Sequence, residues 1–220
     1  MKNVVLIGAG TALLYSIDIV EKEGKYNIIG IIDSSLEISK ELYGYKIIGR
    51  QENLLDLIKD YNINGGIITI GDNWTRYNIY QEILKIKPDF NWYNAMHPSV
   101  IIGKNVNLGF GILVMAGVII NSGATIGNFC HLYTSANIEH DCIIGNYASI
   151  SAGSITGGYV ELGEFAAVTL GVTVFDRTKI GRNSVVGAGS LVVKDLPENV
   201  LAYGNPAKII RPREDGEKFL

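Results

Sequence analysis

Aliphatic side chains recur every six residues between Ile101 and Leu196, and no insertion interrupts the spacing. The second position of the sixteen hexads is aliphatic everywhere except at Thr156. The sixth position is mostly small, and glycine often fills the third. A hexad repeat of this kind indicates a parallel β-helix, in which each short strand places one aliphatic side chain in a shared core. Helical spacing or regularly spaced hairpin turns would indicate other folds, and neither fits this segment.

The residues before the repeat alternate between strand and helix patterns. Buried-strand patterns cover residues 2–8, 27–32 and 66–70, and helical spacing covers residues 12–22, 51–61 and 74–85. This alternation predicts a small Rossmann-like parallel sheet with right-handed crossovers. The chain is therefore expected to hold two domains without a flexible linker, residues 1–97 and residues 98–220.

Composition narrows the expected partners and surroundings. The 220 residues carry a formal charge of −3, which gives no reason to expect nucleic acid or an anionic membrane as partner. No apolar run is long enough to span a membrane, and the first residues lack a signal-peptide pattern. Cys130 and Cys142 both occupy sixth hexad positions, so we expect small core residues and neither a disulfide nor a metal pair. These features favour a cytoplasmic protein.

A Gly-x-Gly turn follows the first predicted strand, at Gly8 and Gly10, and Asp33 ends the second. Such a turn and the helix after it expose backbone N–H groups to an anion, and an acid at the second strand can bond a ribose hydroxyl. Leu13 stands where the full fingerprint has a third glycine, so the motif by itself fits a plain strand–helix turn equally well. The domain is also too short for two mononucleotide-binding halves, so NAD is not expected.

The three histidines of the chain differ in their surroundings. His140 occupies the fourth position of its hexad, a corner that points away from the core, and Asp141 follows it. An exposed histidine beside a carboxylate suits a general base, because its pKa lies near neutrality and the carboxylate fixes its tautomer. His131 and His97 are read as packing or structural residues. A zinc site would need all three histidines, one of them outside the repeat, so we expect no metal.

The combination of a glycine-turn domain and a hexad repeat resembles the nucleotide-sugar N-acetyltransferases of the hexapeptide-repeat superfamily, which have sialic-acid O-acetyltransferases as relatives. The matching stretches are VVLIGAG, GIIDS, TIGDNWTR, NAMHPSVIIG, NIEHDCIIG and GNPAK. The resemblance implies a left-handed β-helix with three hexads in each triangular coil, and hence about five coils here. Residues eighteen apart would then form columns, with Ala152 above Leu170 and Ala188 at one corner and His140 above Gly158 and Asp176 at another.

The resemblance also implies an activity and a site. It implies acetyl-CoA-dependent N-acetylation of a nucleotide-linked amino sugar, expected to be a 4-amino-dideoxy sugar for bacterial surface glycans, by a homotrimer with sites between adjacent β-helices. His140 is expected to be the general base and Asp141 its partner, with a backbone N–H near Gly158 as oxyanion donor. The nucleotide sugar is expected at Gly8, Gly10, Thr11, Asp33, Ser34, Asp72, Asn73 and Arg76. Acetyl-CoA is expected at Gly158, Leu170 and Ala188, with Lys194, Lys208 or Arg211 near its phosphates.

Two departures and two alternatives remain open. The family's first turn continues with a Gly-His-Gly-Lys-like run, where this chain has Thr11-Ala12-Leu13-Leu14-Tyr15, so phosphate contacts from this loop are unsettled. Ser149 stands where some relatives carry a second histidine. An O-acetyltransferase acting on a sialic-acid-type sugar would use the same fold. A non-catalytic nucleotide-sugar-binding protein is the other alternative, against which the intact His140-Asp141 pair argues.

Overall fold

A computed structural model of the chain describes residues 1–218 and divides into two compact units, Met1–Ala95 and the residues from Met96 onward. The first unit is a five-stranded sheet in the order β3-β4-β2-β1-β5, with two helices in its connections and a third after β5. Its strands are β1 (Lys2–Ile7), β2 (Tyr26–Ile32), β3 (Glu41–Leu42), β4 (Tyr45–Gly49) and β5 (Gly65–Ile68), and its helices are α1 (Leu13–Glu23), α2 (Leu54–Tyr61) and α3 (Asn73–Ile86). All pairings are parallel except that of β3 with β4.

The Rossmann-like expectation for this unit is confirmed, with two local differences. Residues Gln51–Asn53 form a 3-10 turn before α2, and β3 and β4 form a hairpin that the sequence pattern did not indicate. The hairpin turns at Tyr43 and Gly44, both with positive φ. Two-residue hairpin turns of this kind usually contain an Asn-Gly or Asp-Gly pair, which makes them recognisable in a sequence. Tyrosine at the first position removes that signal, which explains why the hairpin was missed.

The second unit contains sixteen two-residue strands that recur every six residues. They are β7 (Ile101–Ile102), β8 (Asn107–Leu108), β9 (Leu113–Val114), β10 (Ile119–Ile120), β11 (Thr125–Ile126), β12 (His131–Leu132), β13 (Asn137–Ile138), β14 (Ile143–Ile144), β15 (Ser149–Ile150), β16 (Ile155–Thr156), β17 (Glu161–Leu162), β18 (Ala167–Val168), β19 (Thr173–Val174), β20 (Lys179–Ile180), β21 (Val185–Val186) and β22 (Leu191–Val192). The strand β6 (Ala95–Met96) precedes them, and β23 (Val200–Gly204) and β24 (Ala207–Pro212) follow.

These strands build three parallel sheets. Each strand pairs with the strand three further along the chain, and the paired residues lie eighteen positions apart. The result is the left-handed parallel β-helix that the hexad pattern and the resemblance predicted. The second-position side chains point inward as expected, and Ile126, Ile144 and Val168 are each 1% exposed. Ile102, at 43% exposed, and the partly buried Leu108 are the exceptions, because β7 and β8 are end strands with a neighbour on one side only.

The repeat ends in a hairpin. The strand β23 continues one of the three sheets, pairing parallel with β21, and β24 turns back antiparallel along β23. The Asn205–Pro206 peptide bond between them is cis. No helix among residues 1–218 is both long and apolar enough to cross a membrane.

Aromatic side chains stack along one corner of the β-helix. Phe129, Tyr147 and Phe165 are eighteen residues apart, and their rings lie nearly parallel with centroids 5.3 and 5.1 Å apart. Aromatic contacts of this kind add about 0.5–1.5 kcal/mol beyond the apolar area that they bury. The stack therefore reinforces the register that the strands set.

The inward and outward positions of β14 provide a direct test of this architecture. Ile144 is buried in the core, and its neighbour Ile143 is 53% exposed. We expect Ile144→Ala to lower the free energy of unfolding by about 2–5 kcal/mol, because it leaves a cavity in a packed core. The matched change Ile143→Ala should cost about 0.5 kcal/mol or less. Denaturant unfolding followed by circular dichroism measures both, and equal losses would contradict the assigned orientation.

Candidate active site

His140 lies at the corner between β13 and β14, where the hexad pattern placed it. Its side chain is 52% exposed, and that of Asp141 is 45% exposed. His140 Nδ1 lies 2.9 Å from Asp141 Oδ2. Asp141 has a φ of 57°, and this left-handed conformation turns the chain at the corner. Because the carboxylate holds Nδ1, the other ring nitrogen, Nε2, is left to exchange a proton with a substrate.

Gly158 lies one coil further along the same corner, and its missing side chain makes room for the imidazole. A Cβ at this position would lie 2.6 Å from His140 Nε2. The Gly158 N–H donates to Asp176 Oδ1 at 2.8 Å. The sequence led us to expect an open backbone amide here for an oxyanion, but the carboxylate eighteen residues on already binds it. Gly158 therefore acts as a space for the histidine, and its amide is engaged.

Two further side chains extend this corner, one packed against the histidine and the other against that neighbour, and sequence reasoning missed both. The Tyr159 ring packs against the His140 ring edge to face, with centroids 5.2 Å apart and an interplanar angle of 87°. The Arg177 guanidinium lies 4.4 Å from the centroid of the Tyr159 ring. The available signal was the coil period, since Asp141, Tyr159 and Arg177 follow one another at intervals of eighteen residues.

A second candidate feature is an apolar cleft of about 470 Å³ along a different corner. The column predicted for the acyl donor lines it, and its lining residues are Tyr133, Ser151, Ala152, Thr169, Leu170, Val185, Gly187, Ala188 and Leu201. Leu170 and Ala188 thus lie together as expected, but Gly158 does not join them. Six residues separate Ala152 from Gly158, and β16 lies between them, so the cleft and the His140 corner border opposite edges of one sheet.

The remaining histidines line neither feature. His131 lies in β12 and is buried, and His97 Nδ1 lies 2.7 Å from Ser99 Oγ. Cys130 and Cys142 are both free thiols buried in the β-helix. Among residues 1–218, no three or more histidine, cysteine, aspartate or glutamate side chains converge on a point that could hold a metal ion.

Three loops of the first unit follow the carboxyl ends of β2, β1 and β5, which are neighbours in the parallel sheet. They carry the residues predicted for the nucleotide, and Gly10, Thr11 and Ser34 are exposed there. Gly8 has a φ of 106°, and a Cβ at this position would overlap the Ile70 side chain. The turn therefore requires glycine for its own packing.

Asp33 holds two of these loops together. Its Oδ2 accepts from the Ala9 N–H at 2.8 Å, and its Oδ1 accepts from Ser35 N–H, Ser35 Oγ and Leu36 N–H at 2.8–3.0 Å. Partial burial works to raise the pKa of the Asp33 carboxyl, but the hydrogen bonds from Ser35, Ala9 and Leu36 outweigh it, and the pKa is lowered. Asp33 thus remains a carboxylate that fixes the glycine turn.

Arg76 differs from its expected role as a contact for the nucleotide. The side chain is fully buried and donates to the Ile70 and Gly71 carbonyls and to Asn73 Oδ1. Asn73 is itself buried, and Asp72 Oδ1 caps α3 by accepting from the Thr75 N–H at 2.9 Å. These side chains shape the loop after β5 from within.

The cations expected near the coenzyme A phosphates differ in whether an ion pair engages them. Lys194 and Lys208 are exposed. Arg211 pairs with the Glu217 carboxylate, and this ion pair lowers the pKa of Glu217 to about 2. Arg211 is exposed as well, but its charge is already paired with Glu217.

Comparisons with known proteins identify the family and support the fold. Residues 3–83 match the PglD N-terminal domain family. The structure of PerB from Caulobacter crescentus, solved with CoA and GDP-perosamine, is 33% identical, covers 96% of this chain and 98% of its own, and has a TM-score of 0.88. The acetyltransferase domain of PglB from Neisseria gonorrhoeae, solved with acetyl coenzyme A, is 24% identical, covers 95% and 99%, and shares the fold with a TM-score of 0.86.

Curated relatives extend the likeness over part of the chain. Serine acetyltransferase 2 of Arabidopsis thaliana is 35% identical over 57% of this chain, which spans 34% of that protein. An acyl-carrier-protein–UDP-N-acetylglucosamine O-acyltransferase of Campylobacter concisus is 29% identical over 70% of this chain, which spans 61% of that protein. The fold and these likenesses define a hexapeptide-repeat acyltransferase. More narrowly, the chain belongs to the family of nucleotide-sugar N-acetyltransferases within that superfamily.

The lowered pKa of Asp33 predicts a pH-dependent contribution to stability. A depressed carboxyl pKa stabilises the fold above the unfolded value of about 4, and this contribution is lost as the pH falls through the folded pKa. We therefore expect Asp33→Asn to lower the melting temperature of the first unit at pH 7, and the difference to shrink towards pH 3. Both tryptophans, Trp74 and Trp92, lie in this unit, so tryptophan fluorescence reports its unfolding. The exposed Asp60→Asn serves as the control, and a pH-independent Asp33 effect would contradict the assignment.

Proposed function

We propose that this protein transfers the acetyl group of acetyl-CoA to the amine of a nucleotide-linked amino sugar of the 4-amino-dideoxy class. The observation that carries the proposal is the His140–Asp141 pair on an exposed corner, with Gly158 leaving space at Nε2. The likeness to PerB along nearly its whole length supports an amine acceptor. An alcohol acceptor, as in the related O-acetyltransferases, would use the same base, so the acceptor panel must include both.

The proposed reaction is a direct transfer without an acyl-enzyme. The amine nitrogen attacks the thioester carbonyl after or while His140 Nε2 takes its proton, and Asp141 stabilises the imidazolium that forms. The carbon–nitrogen bond forms and the carbon–sulfur bond breaks. The departing thiolate then receives the proton from the imidazolium, so that coenzyme A leaves as a thiol and the histidine returns to its neutral form.

We place the pantetheine arm of acetyl-CoA in the apolar cleft, where the small side chains of Ala152 and Ala188 leave the backbone accessible. The exposed Lys194 and Lys208 are the proposed partners of its phosphates. The cleft and His140 border opposite edges of one sheet, up to about 20 Å apart at six residues and roughly 3.3 Å per residue. A single β-helix therefore does not present the thioester to its own His140.

A second copy of the chain resolves this separation. The sheet between the two corners carries exposed apolar side chains on its outer surface, including Ile101, Ile155, Phe175 and Val193. Contiguous exposed apolar surface of this kind marks an interaction site. We propose that this face packs against neighbouring copies in a homotrimer, which brings the cleft of one subunit beside the His140 corner of the next.

We propose that the three loops of the first unit hold the nucleotide part of the acceptor, the nucleotide-linked amino sugar. Gly10, Thr11 and Ser34 offer exposed backbone and hydroxyl groups there. Gly8, Asp33, Asn73 and Arg76 then act by fixing the shape of these loops, as their burial and internal hydrogen bonds suggest. Asp72 retains Oδ2, a buried atom with no hydrogen-bond partner among the described residues, as a possible acceptor for a nucleotide hydroxyl.

Replacing His140 by alanine should lower turnover by about 10²- to 10⁴-fold, the usual effect of removing a positioned general base. Asp141→Asn should lower turnover less, since the base remains and only the orienting charge is lost. The assay measures thiol release from acetyl-CoA with UDP-, dTDP- and GDP-linked amino sugars as acceptors. His97→Ala is the matched control and should keep turnover. Near-normal turnover of the His140→Ala enzyme would show that the amine loses its proton elsewhere.

The shared site predicts complementation between two inactive variants. His140→Ala removes the base, and Leu170→Arg should block the cleft and weaken acetyl-CoA binding. When both chains are co-expressed, random assortment in a trimer pairs an intact corner with an intact cleft at about a quarter of the interfaces, so that share of activity should return. Light scattering measures the mass of each preparation. A monomeric mass, or no recovery from a mixed trimer, would contradict the composite site.

A further inference from the structure

The backbone ladder of the β-helix is interrupted at one coil, next to the candidate base. From Gly103 to Phe175, the N–H at the third hexad position donates to the carbonyl seventeen residues on, as Asn121 N does to Ile138 O at 2.8 Å. Within the described residues, Glu139 is the exception in this series. Its N–H donates to the side-chain oxygen of Thr156, Oγ1, at 3.1 Å. Consistent with this, β13 and β16 pair through a single residue pair, Asn137 with Ile155.

The Thr156 hydroxyl also connects this amide to the far side of the corner. Thr156 Oγ1 lies 3.4 Å from Cys142 Sγ, and the Cys142 thiol donates to the Gly157 carbonyl at 3.1 Å. Burial raises the pKa of the Cys142 thiol, so it remains protonated and able to donate. The hydrogen bonds therefore run from Glu139 N–H through Thr156 and Cys142 to Gly157 O. They begin one residue before His140 and pass through the residue after Asp141.

An otherwise similar corner lacks this arrangement. The Cys130 thiol donates to the Gly145 carbonyl at 3.1 Å, just as Cys142 does to Gly157. The inward residue opposite is Ile144, which has no hydroxyl, and Gly127 N–H donates to the Ile144 carbonyl at 2.8 Å in the regular ladder. The buried cysteine by itself does not change the ladder, whereas the inward threonine does.

We propose that Thr156 and Cys142 form a positioning device for His140, in which the side-chain bond to Glu139 sets the entry to the corner and the thiol sets its exit. The inference rests on the proposed function, since it assigns these residues to the base of that reaction. Other bonds already hold the corner itself, because Asp141 N–H donates to Ser122 O and Tyr159 N–H donates to His140 O. What Thr156 adds is a side-chain acceptor for the Glu139 N–H, in place of the backbone carbonyl that the regular ladder uses.

The test compares Thr156→Val, Thr156→Ser, Cys142→Ala and the control Cys130→Ala. Valine has the shape of threonine without the hydroxyl, so it completes the aliphatic column and should keep or raise the melting temperature. It should nevertheless lower kcat by about ten- to hundredfold, the order of loss expected when a catalytic group is misplaced by about 1 Å. The KM for acetyl-CoA should stay unchanged. Thr156→Ser should retain most of the activity, and Cys142→Ala should lose more activity than Cys130→Ala.

A second measurement does not depend on the substrate. In ¹⁵N-histidine-labelled protein, Thr156→Val should shift the His140 ring resonances and their titration midpoint, while Cys130→Ala leaves both unchanged. If the parent enzyme is active, and Thr156→Val keeps its kcat and its His140 resonances, the positioning role is wrong. If the variant shifts the resonances but the parent acetylates none of the amino sugars, the proposed function fails and the positioning role stands. The positioning role would also be wrong if Thr156→Val lost activity while the His140 resonances and the pH profile stayed unchanged.

Discussion

The hydrogen bonds between successive coils determine where every functional group of the second unit lies. Most of these backbone bonds join residues seventeen or nineteen positions apart, and paired strand residues lie eighteen apart, so the corners of successive coils align into columns. A side chain at one corner therefore meets the residues one coil above and below it, whatever their types. His140 lies against Gly158 and Tyr159 for this reason, and the apolar cleft forms where the small residues of another column coincide. Chemistry in this fold depends on which residues share a column, more than on which are close in sequence.

The same rule separates the two halves of the proposed reaction. One column carries the proposed base and another lines the cleft, and the sheet between them has exposed apolar side chains, including Ile101 and Ile155, on its outer surface. A triangular prism cannot fold one edge onto another, because its ladder keeps each face straight. Association of identical copies is the simplest way to bring the two columns together without bending the backbone. The backbone ladder is interrupted beside His140, where the Glu139 N–H donates to the Thr156 side chain and not to a backbone carbonyl.

Much of this architecture could be predicted because the hexad pattern of a β-helix is visible within short stretches of sequence. The second position of each hexad identifies the inward residue. The columns of His140 and Leu170 then follow, because residues eighteen positions apart share a column. What could not be predicted depends on side-chain conformation. Asp176 was placed in the right column, but nothing in the spacing shows that its carboxylate binds the Gly158 amide. Arg76 was expected to contact the nucleotide sugar, yet its guanidinium is buried and donates to nearby carbonyls. Thr156 was recognised as the odd residue of its column, but its hydrogen bond to Glu139 depends on a rotamer.

The uninterrupted hexad spacing has a consequence for how such a chain can change in length. Deleting eighteen residues before His140 would remove one coil and leave every later column aligned. Deleting a single hexad would instead rotate all that follows by one face, and it would carry the histidine to another edge of the prism. Length variation in this unit should therefore accumulate as whole coils, or as loops extruded at corners. The His140 corner would keep its distance from the coils beside it, while its distance from the chain terminus could change by whole coils.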